Sequence, residues 1–151
     1  MLVTLPKQAS AIPPAVDCLS ALEAIFGDLK IHYVLASTER ESVSQLGTRE
    51  LVSLNKEDLG WSGLPKKGFT QMLRNYGCEV ALDMDMSTNF INAYLGLLSG
   101  AEVRIGVQGK WGLPFYNLEL IIPPRRSNLG ERYDSLIRIL RNLRTEKILE
   151  A

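Results

Sequence analysis

The chain has 151 residues, 46% of them hydrophobic and 23% charged, fractions that are typical of a globular protein. The 17 basic residues (lysine and arginine) balance the 17 acidic residues (aspartate and glutamate), so the net charge is zero. No global attraction to nucleic acid or to an anionic membrane is therefore expected. No stretch approaches the ~20 apolar residues that span a bilayer, and the start MLVTLPKQAS lacks the features of a signal peptide. We therefore expect one cytoplasmic domain over residues 1–151, with no membrane insertion.

The first quarter of the chain predicts a strand, a helix and a second strand. The apolar run MLVTL precedes the loop PKQASAI, and apolar residues then recur at helical spacing through PPAVDCLSALEAIFG. Pro13 and Pro14 suit the first turn of one continuous helix, and Gly27 suits its end. The apolar run KIHYVLA predicts a strand buried on both faces, so the unit is a βαβ motif with parallel strands.

Helices and strands continue to alternate along the rest of the chain. ERESVSQLG predicts a short helix, ELVSL a short strand, FTQMLRNYG a helix that stops at Gly77, and EVALDMD a strand. NFINAYLGLLSG predicts a helix with Ser87 as its N-cap and Gly100 as its C-cap, and EVRIGV and NLELII predict two more strands. An amphipathic helix is expected at about residues 130–149. The predicted fold is an α/β, open, mostly parallel, doubly wound (Rossmann-like) sheet of about six strands with helices on both faces.

Asp83 and Asp85 end the strand EVALDMD and are the candidates for catalysis. Ligands of open α/β sheets bind outside the carboxyl ends of the strands, and residues two apart on a strand point the same way. Two nearby carboxylates can divide acid and base roles. The alternative is structural: Asp83 accepts hydrogen bonds from loop amides, and Asp85 or Ser87 caps the next helix.

Candidates for ligand binding are Lys7, Gln8 and Ser10 in the first loop, together with Ser87. The loop PKQASAIPP has no glycine for close backbone approach, however, and its prolines remove amide donors, so no cofactor is expected. The single histidine lies inside a predicted strand and neither cysteine has ligand spacing, so no metal site is expected either.

Two groups of residues are candidates for binding a partner. Trp111, Phe115 and Tyr116 are aromatic residues in a Gly- and Pro-rich loop, where they are either exposed anchors for a protein or loop core. Arginines recur every three residues along the last helix, at Arg138, Arg141 and Arg144. This stripe is either a solvated face or a contact for an acidic protein or RNA.

Several motifs together resemble family 9 glycosyltransferases, the heptosyltransferase group. MLVTLPKQASAIPPAVDCLSALEAIFGDLKIHYVLAS is similar to the opening strand, helix and strand of that family, and LDMDMSTNFINAYLGLLSGAEVRIGV is similar to its stretch with an acid at a strand end, a helix and a further strand. The resemblance covers about residues 1–122 and implies the N-terminal Rossmann-like domain of a GT-B enzyme, without the nucleotide-sugar domain. The chain also resembles short bacterial proteins that carry only this half and end in a strand like that at Phe115 to Leu120 and a last helix.

The chain departs from the family pattern in its first loop. The resemblance implies a GD pair there whose acid is the catalytic base, but PKQASAIPP contains no carboxylate. The leading hypothesis is therefore a non-catalytic domain that acts as an interaction or structural subunit, in a hetero-complex or a homo-oligomer. The alternatives are the acceptor-binding half of a split glycosyltransferase, which would meet a sugar nucleotide only with a second chain, and an RNA-associated module.

Overall fold

A computed structural model of the chain describes residues 1–36, 44, 46–122 and 128–150, with side chains described as far as residue 145. The predicted helix ERESVSQLG falls largely outside these residues. The sheet consists of β1 (Leu2–Thr4), β2 (His32–Leu35), β3 (Leu51–Ser53), β4 (Val80–Asp83), β5 (Val103–Val107) and β6 (Leu118–Leu120). Its strand order is β3-β2-β1-β4-β5-β6, and every neighbouring pair is parallel. The predicted open, doubly wound sheet is confirmed.

Helices cover both faces of this sheet. The helices are α1 (Ile12–Asp17), α2 (Leu19–Ile25), α3 (Lys67–Asn75), α4 (Phe90–Leu98) and α5 (Leu129–Glu150), with short 3-10 turns at Ala9–Ala11 and Lys56–Asp58. The helices α1, α2 and α5 enclose the larger core against one face, and α3 and α4 enclose a second core against the other. Because side chains of a strand alternate between faces, neighbours such as Leu2 and Val3 belong to different cores. No helix among the described residues has the length and apolarity needed to cross a membrane.

Two details of the predicted helices are wrong. The helix expected after the first loop is interrupted at Cys18, whose N–H donates to Ala15 O at 3.3 Å and whose thiol donates to the same oxygen at 3.0 Å. This tight turn keeps the apolar side chains on one face, which is why their spacing conceals the break. Ser87 is not the N-cap of α4; Asn89 is, and its side chain accepts a hydrogen bond from Asn92 N at 3.4 Å.

The residues considered for metal binding are buried in the interior. Cys18 and Cys78 are buried and free, and burial raises the pKa of the Cys18 thiol to about 12. His32 is buried at the amino end of β2, where its ring stacks on Tyr76 with centroids 4.0 Å apart. Burial lowers the pKa of His32, since the charged imidazolium would lose hydration. These side chains belong to the packing of the two cores.

Candidate functional site

The strand order reverses between β1 and β4, and this switch point positions the candidate site. The chain leaves β1 toward β2 on one side and leaves β4 toward β5 on the other, so the loops that follow these two strands diverge. Such a crevice is the usual ligand position in an open α/β sheet. Both predicted aspartates lie here, because Asp83 is the last residue of β4 and Asp85 follows two residues later. Thr4, the last residue of β1, is the register partner of Asp83.

Asp83 is only 4% exposed and is surrounded by donors. Its carboxylate accepts from the hydroxyl of Thr4 at 3.3 Å, Asp85 N at 2.9 Å, Asn92 Nδ2 at 3.1 Å and the hydroxyl of Tyr116 at 2.5 Å, and Lys110 Nζ lies 3.5 Å away. Burial raises the pKa of Asp83, and the opposing effects of Lys110 and the hydrogen bonds do not cancel that rise. Asp83 therefore connects β1, β4, α4 and the β5–β6 connection through one buried carboxylate.

Asp85 is 1% exposed and organises the loop that enters α4. One carboxylate oxygen accepts from Ser87 N at 2.8 Å and from the Ser87 hydroxyl at 2.6 Å. The other accepts from Lys7 N at 3.1 Å and from Asn89 Nδ2 at 3.0 Å. Burial acts to raise the pKa of Asp85, but these hydrogen bonds together outweigh burial and hold the pKa below its ordinary value. Asp85 therefore has a structural role close to the predicted alternative: it stabilises the loop before α4 by accepting hydrogen bonds, and Ser87 is one of the donors.

The β5–β6 connection supplies two contacts to this network. Lys110 is a buried cation, with its side chain 6% exposed, and its ammonium group also donates to the backbone oxygen of Asp85. Tyr116 is buried with its ring directly over Gly106 of β5, where a Cβ atom would lie 2.6 Å from ring atoms. Burial, followed by the neighbouring charge of Asp83, raises the pKa of the Tyr116 phenol, which keeps it a donor.

Sequence reasoning missed Lys110, Asn92 and Tyr133. Asn92 also donates to Leu5 O at 2.9 Å, so α4 is bonded to the ends of both β1 and β4. The Tyr133 hydroxyl donates to Met84 O at 2.7 Å, which joins α5 to the end of β4. A weak signal for Lys110 existed, since the pair Gly109 and Lys110 comes shortly after the end of a predicted strand. Its partner Asp83, however, is remote in the sequence. A single asparagine or tyrosine inside a helix gives no comparable signal.

This geometry limits what the aspartates can do chemically. Both carboxylates are almost inaccessible, and each of their oxygens already accepts at least two hydrogen bonds from the chain itself or faces the Lys110 ammonium. A general base must reach the substrate proton within hydrogen-bond distance. Within the described part of the chain no three His, Cys, Asp or Glu side chains form a group that could hold a metal ion.

The predicted ligand-binding residues of the first loop lie beside the aspartates. Lys7, Gln8 and Ser10 are exposed, and Lys7 contributes its backbone N–H to Asp85. Gln8 and Ser87 line a groove of about 370 Å³, together with Ala11, Asp85, Met86, Leu129 and Arg132. The groove thus lies between the first loop, the loop after β4 and the first turn of α5. Arg132 was not among the predicted residues.

The predicted partner-binding aromatic residues separate into two environments. Tyr116 is buried in the network described above, whereas Trp111 and Phe115 join Phe90 and Tyr94 of α4 in a surface cluster. We call these four residues the aromatic cluster. Its ring centroids are 5.3 to 6.4 Å apart, and Phe90 and Trp111 are each 36% exposed.

Large exposed hydrophobic side chains lie in segments that follow the carboxyl ends of the strands, the side of the sheet that we call the carboxyl-end edge. Trp61 lies between β3 and α3, Phe90 begins α4 after β4, and Ile121 directly follows β6. Trp111 and Leu113 lie in the connection that leaves the carboxyl end of β5. All of these segments start from the carboxyl ends of parallel strands. Trp61, Leu113 and Ile121 are 103%, 75% and 72% exposed.

The three predicted arginines of α5 are not equivalent. Arg138 and Arg141 are exposed. Arg144 is partly buried, forms an ion pair with Asp28 and lies over the ring of Phe26 at 5.7 Å. The stripe therefore presents two free-standing arginines and one that holds α5 against the turn after α2.

The fold is similar to that of two solved glycosyltransferase structures. A glycosyl transferase family 9 protein from Veillonella parvula DSM 2008 superposes with a TM-score of 0.67 over 93% of this chain and 40% of its own, at 16% identity. The part of that protein that superposes is one Rossmann-like half, so the likeness is one of fold. The E. coli heptosyltransferase WaaC, in a structure with ADP, gives a TM-score of 0.66 over 91% of this chain and 46% of its own, at 14% identity. No protein-family model and no curated protein matches the sequence.

The chain therefore spans less than half the length of either solved glycosyltransferase. The expected resemblance to a heptosyltransferase-like half is confirmed at the level of the fold. At this identity the likeness concerns architecture, and the chemistry of the site must be argued from its own side chains.

Proposed function

We propose that this glycosyltransferase-like domain is non-catalytic and binds another protein through the carboxyl-end edge of its sheet. The observation that supports this most directly is the one-sided distribution of exposed large side chains: Trp61, Phe90, Trp111, Leu113 and Ile121 all occupy segments at that edge. Isolated exposed apolar residues are ordinary, but a concentration on one side is typical of an interaction site.

The aromatic cluster has the properties of an interface anchor. Tryptophan and tyrosine are enriched among the few interface side chains that dominate binding, and truncating such a side chain costs about 2 kcal/mol of binding free energy or more. Phe90 already packs edge-to-face against Trp111 and Phe115, with centroids 5.4 and 5.3 Å apart. Because these rings support one another before binding, little side-chain entropy remains to be lost on association.

The carboxylates at the switch point support the non-catalytic part of the proposal. Asp83 and Asp85 have their acceptor capacity filled by the chain's own donors, and substrate contact would require breaking those bonds. The first loop, PKQASAIPP, offers no carboxylate in their place. The saturated aspartates and the lack of a carboxylate in the first loop both favour a structural role for this site over a catalytic one.

The test is affinity capture of the chain expressed at its native level, with the recovered proteins quantified against the bait. Trp111→Ser removes the anchor, and Arg138→Ser is the matched control because Arg138 is exposed on α5. A loss of about 2 kcal/mol corresponds to roughly 30-fold weaker binding. We expect a stoichiometric protein partner that Trp111→Ser loses and Arg138→Ser retains.

Equal recovery with Trp111→Ser and wild type would contradict the proposed surface, and absence of any stoichiometric protein would contradict the proposed function. Sedimentation of the purified chain separates a second copy from a different protein, because only self-association changes its mass in isolation. In either case, a second copy of the chain or a different protein, the proposed contact is the carboxyl-end edge.

The competing candidate is the acceptor-binding half of a split glycosyltransferase, favoured by the fold likeness and by the position of the aspartates. It requires transfer from a sugar nucleotide in the presence of the captured partner. It also requires that Asp83→Asn or Asp85→Asn abolish transfer while the free energy of unfolding stays unchanged. The hydrogen-bond network predicts the reverse, a loss of stability in both variants.

A further inference from the structure

The groove between the first loop and α5 contains an arginine without a partner. Arg132 lies in the first turn of α5, and its Nε–H is buried and donates to no acceptor among the described residues. An unpaired buried N–H costs free energy of about 1–3 kcal/mol, more when the group is charged. In the described chain no carboxylate lies within ion-pair distance of this guanidinium.

Asp85 lines the same groove but does not neutralise Arg132. Its oxygens accept from the amides of Lys7 and Ser87, from the Ser87 hydroxyl and from Asn89. These donors stabilise the carboxylate, and only 1% of the residue is exposed. Among the residues that line the groove, the Arg132 guanidinium is therefore the charge that has no partner within the described chain.

We infer that the groove binds a small organic oxyanion, a phosphate or a carboxylate, anchored on the guanidinium of Arg132. The planar fork of arginine matches such an anion with two parallel hydrogen bonds. Gln8 lines the same groove, and Ala11, Met86 and Leu129 form its apolar part. A volume of about 370 Å³ exceeds the ~30 Å³ of a water molecule many times, so the groove has room for an organic body beside the anionic group.

The inference is independent of the protein-binding proposal, because the groove uses none of the aromatic cluster. The test is titration of the ¹⁵N-labelled full chain at constant ionic strength, following the side-chain Nε–H signal of Arg132, which Arg132→Lys identifies by its loss. The probes are inorganic phosphate and acetate in separate titrations, since these two headgroups distinguish the sources of the anion. Saturable movement of the Arg132 signal by at least one probe is expected.

Variants then separate a site from general charge attraction. Arg132→Gln is expected to weaken binding at least tenfold, as monitored on backbone signals of the first loop, and Arg138→Gln on the same helix is expected to leave it unchanged. Gln8→Glu adds a repelling charge on an exposed residue with no side-chain capping bond, and is expected to weaken binding tenfold in a folded chain even where Arg132→Gln unfolds. Absence of saturation with both probes, or equal weakening by Arg138→Gln, would overturn the inference.

Discussion

Replacing Lys110 by methionine isolates the role of the buried charge pair. Methionine keeps most of the apolar stem of lysine but removes the ammonium group that lies 3.5 Å from Asp83 Oδ2. The two side chains are 6% and 3% exposed, so water cannot replace the lost partner. The substitution therefore leaves a buried carboxylate with its hydroxyl and amide donors but without a counter-charge.

The expected cost follows from that geometry. Removing one member of a buried ion pair costs about 3–5 kcal/mol. Asp83 keeps four other donors, from Thr4, Asp85, Asn92 and Tyr116, so the loss should lie near the lower end, about 3 kcal/mol. For a chain of this size that corresponds to a decrease in Tm of roughly 6–12 °C.

The loss should depend on pH in a defined direction. Burial already raises the pKa of Asp83, so the folded chain holds this proton more tightly than the unfolded chain, and this group's contribution to stability decreases as pH rises from about 4 through the folded pKa. Without Lys110 the pKa of Asp83 in the folded chain rises further, so the pH range over which stability is lost extends to higher pH. Urea unfolding at pH 7 and pH 5 should show Lys110→Met recovering part of its lost stability at the lower pH.

A double-mutant cycle with Asp83→Asn completes the assay. Once the carboxylate is gone, the ammonium group has nothing to neutralise, so the double variant should lose at least about 1 kcal/mol less than the sum of the single losses. Additive losses, or a Lys110→Met variant within roughly 0.5 kcal/mol of wild type at pH 7, the spread of ordinary surface substitutions, would show that Lys110 does not neutralise Asp83.

Three further changes probe the same network. Gly106→Ala places a Cβ 2.6 Å from the Tyr116 ring and should cost roughly 1–3 kcal/mol in urea unfolding, whereas Gly68→Ala in α3, with nothing within 4 Å, should be neutral or stabilising. Tyr116→Phe should cost about 1.5–3 kcal/mol by removing a donor to a charged acceptor, with the native circular dichroism retained. Asp85→Asn should cost stability at pH 7, and because the folded pKa of Asp85 is lowered, the wild-type advantage should shrink as pH falls below about 4. Unchanged unfolding curves for these three variants would show that the network is not stabilising.

The sheet was predictable because its strands are buried on both faces. Leu2–Thr4 and His32–Leu35 are buried throughout, and a continuous apolar run is the sequence pattern of such a strand. The end of α3 was predictable because Gly77 adopts φ +61°, which glycine tolerates at a helix end. The interruption at Cys18 was not, since the turn leaves the apolar period intact.

The candidate site was predictable in position but not in chemistry. The aspartates were expected at a strand end, and that follows from local sequence. Their partners Lys110 and Tyr116 come from a connection more than 20 residues away, and Gly106 makes sense only once the Tyr116 ring is known to lie over it. The aromatic cluster likewise joins Phe90 to Trp111 across two elements. Side-chain contacts of this range leave no periodic pattern in a sequence.

Oxidative footprinting of the chain in its native assembly and in isolation would show whether the carboxyl-end edge is a protein interface. Trp61, Trp111 and Leu113 are exposed and give measurable labelling rates in the isolated chain. We expect Trp111 and Leu113 to be protected from labelling in the assembly, while residues on the outer face of α5 are labelled equally in both states. Unchanged labelling at this edge, or protection confined to α5, would contradict it.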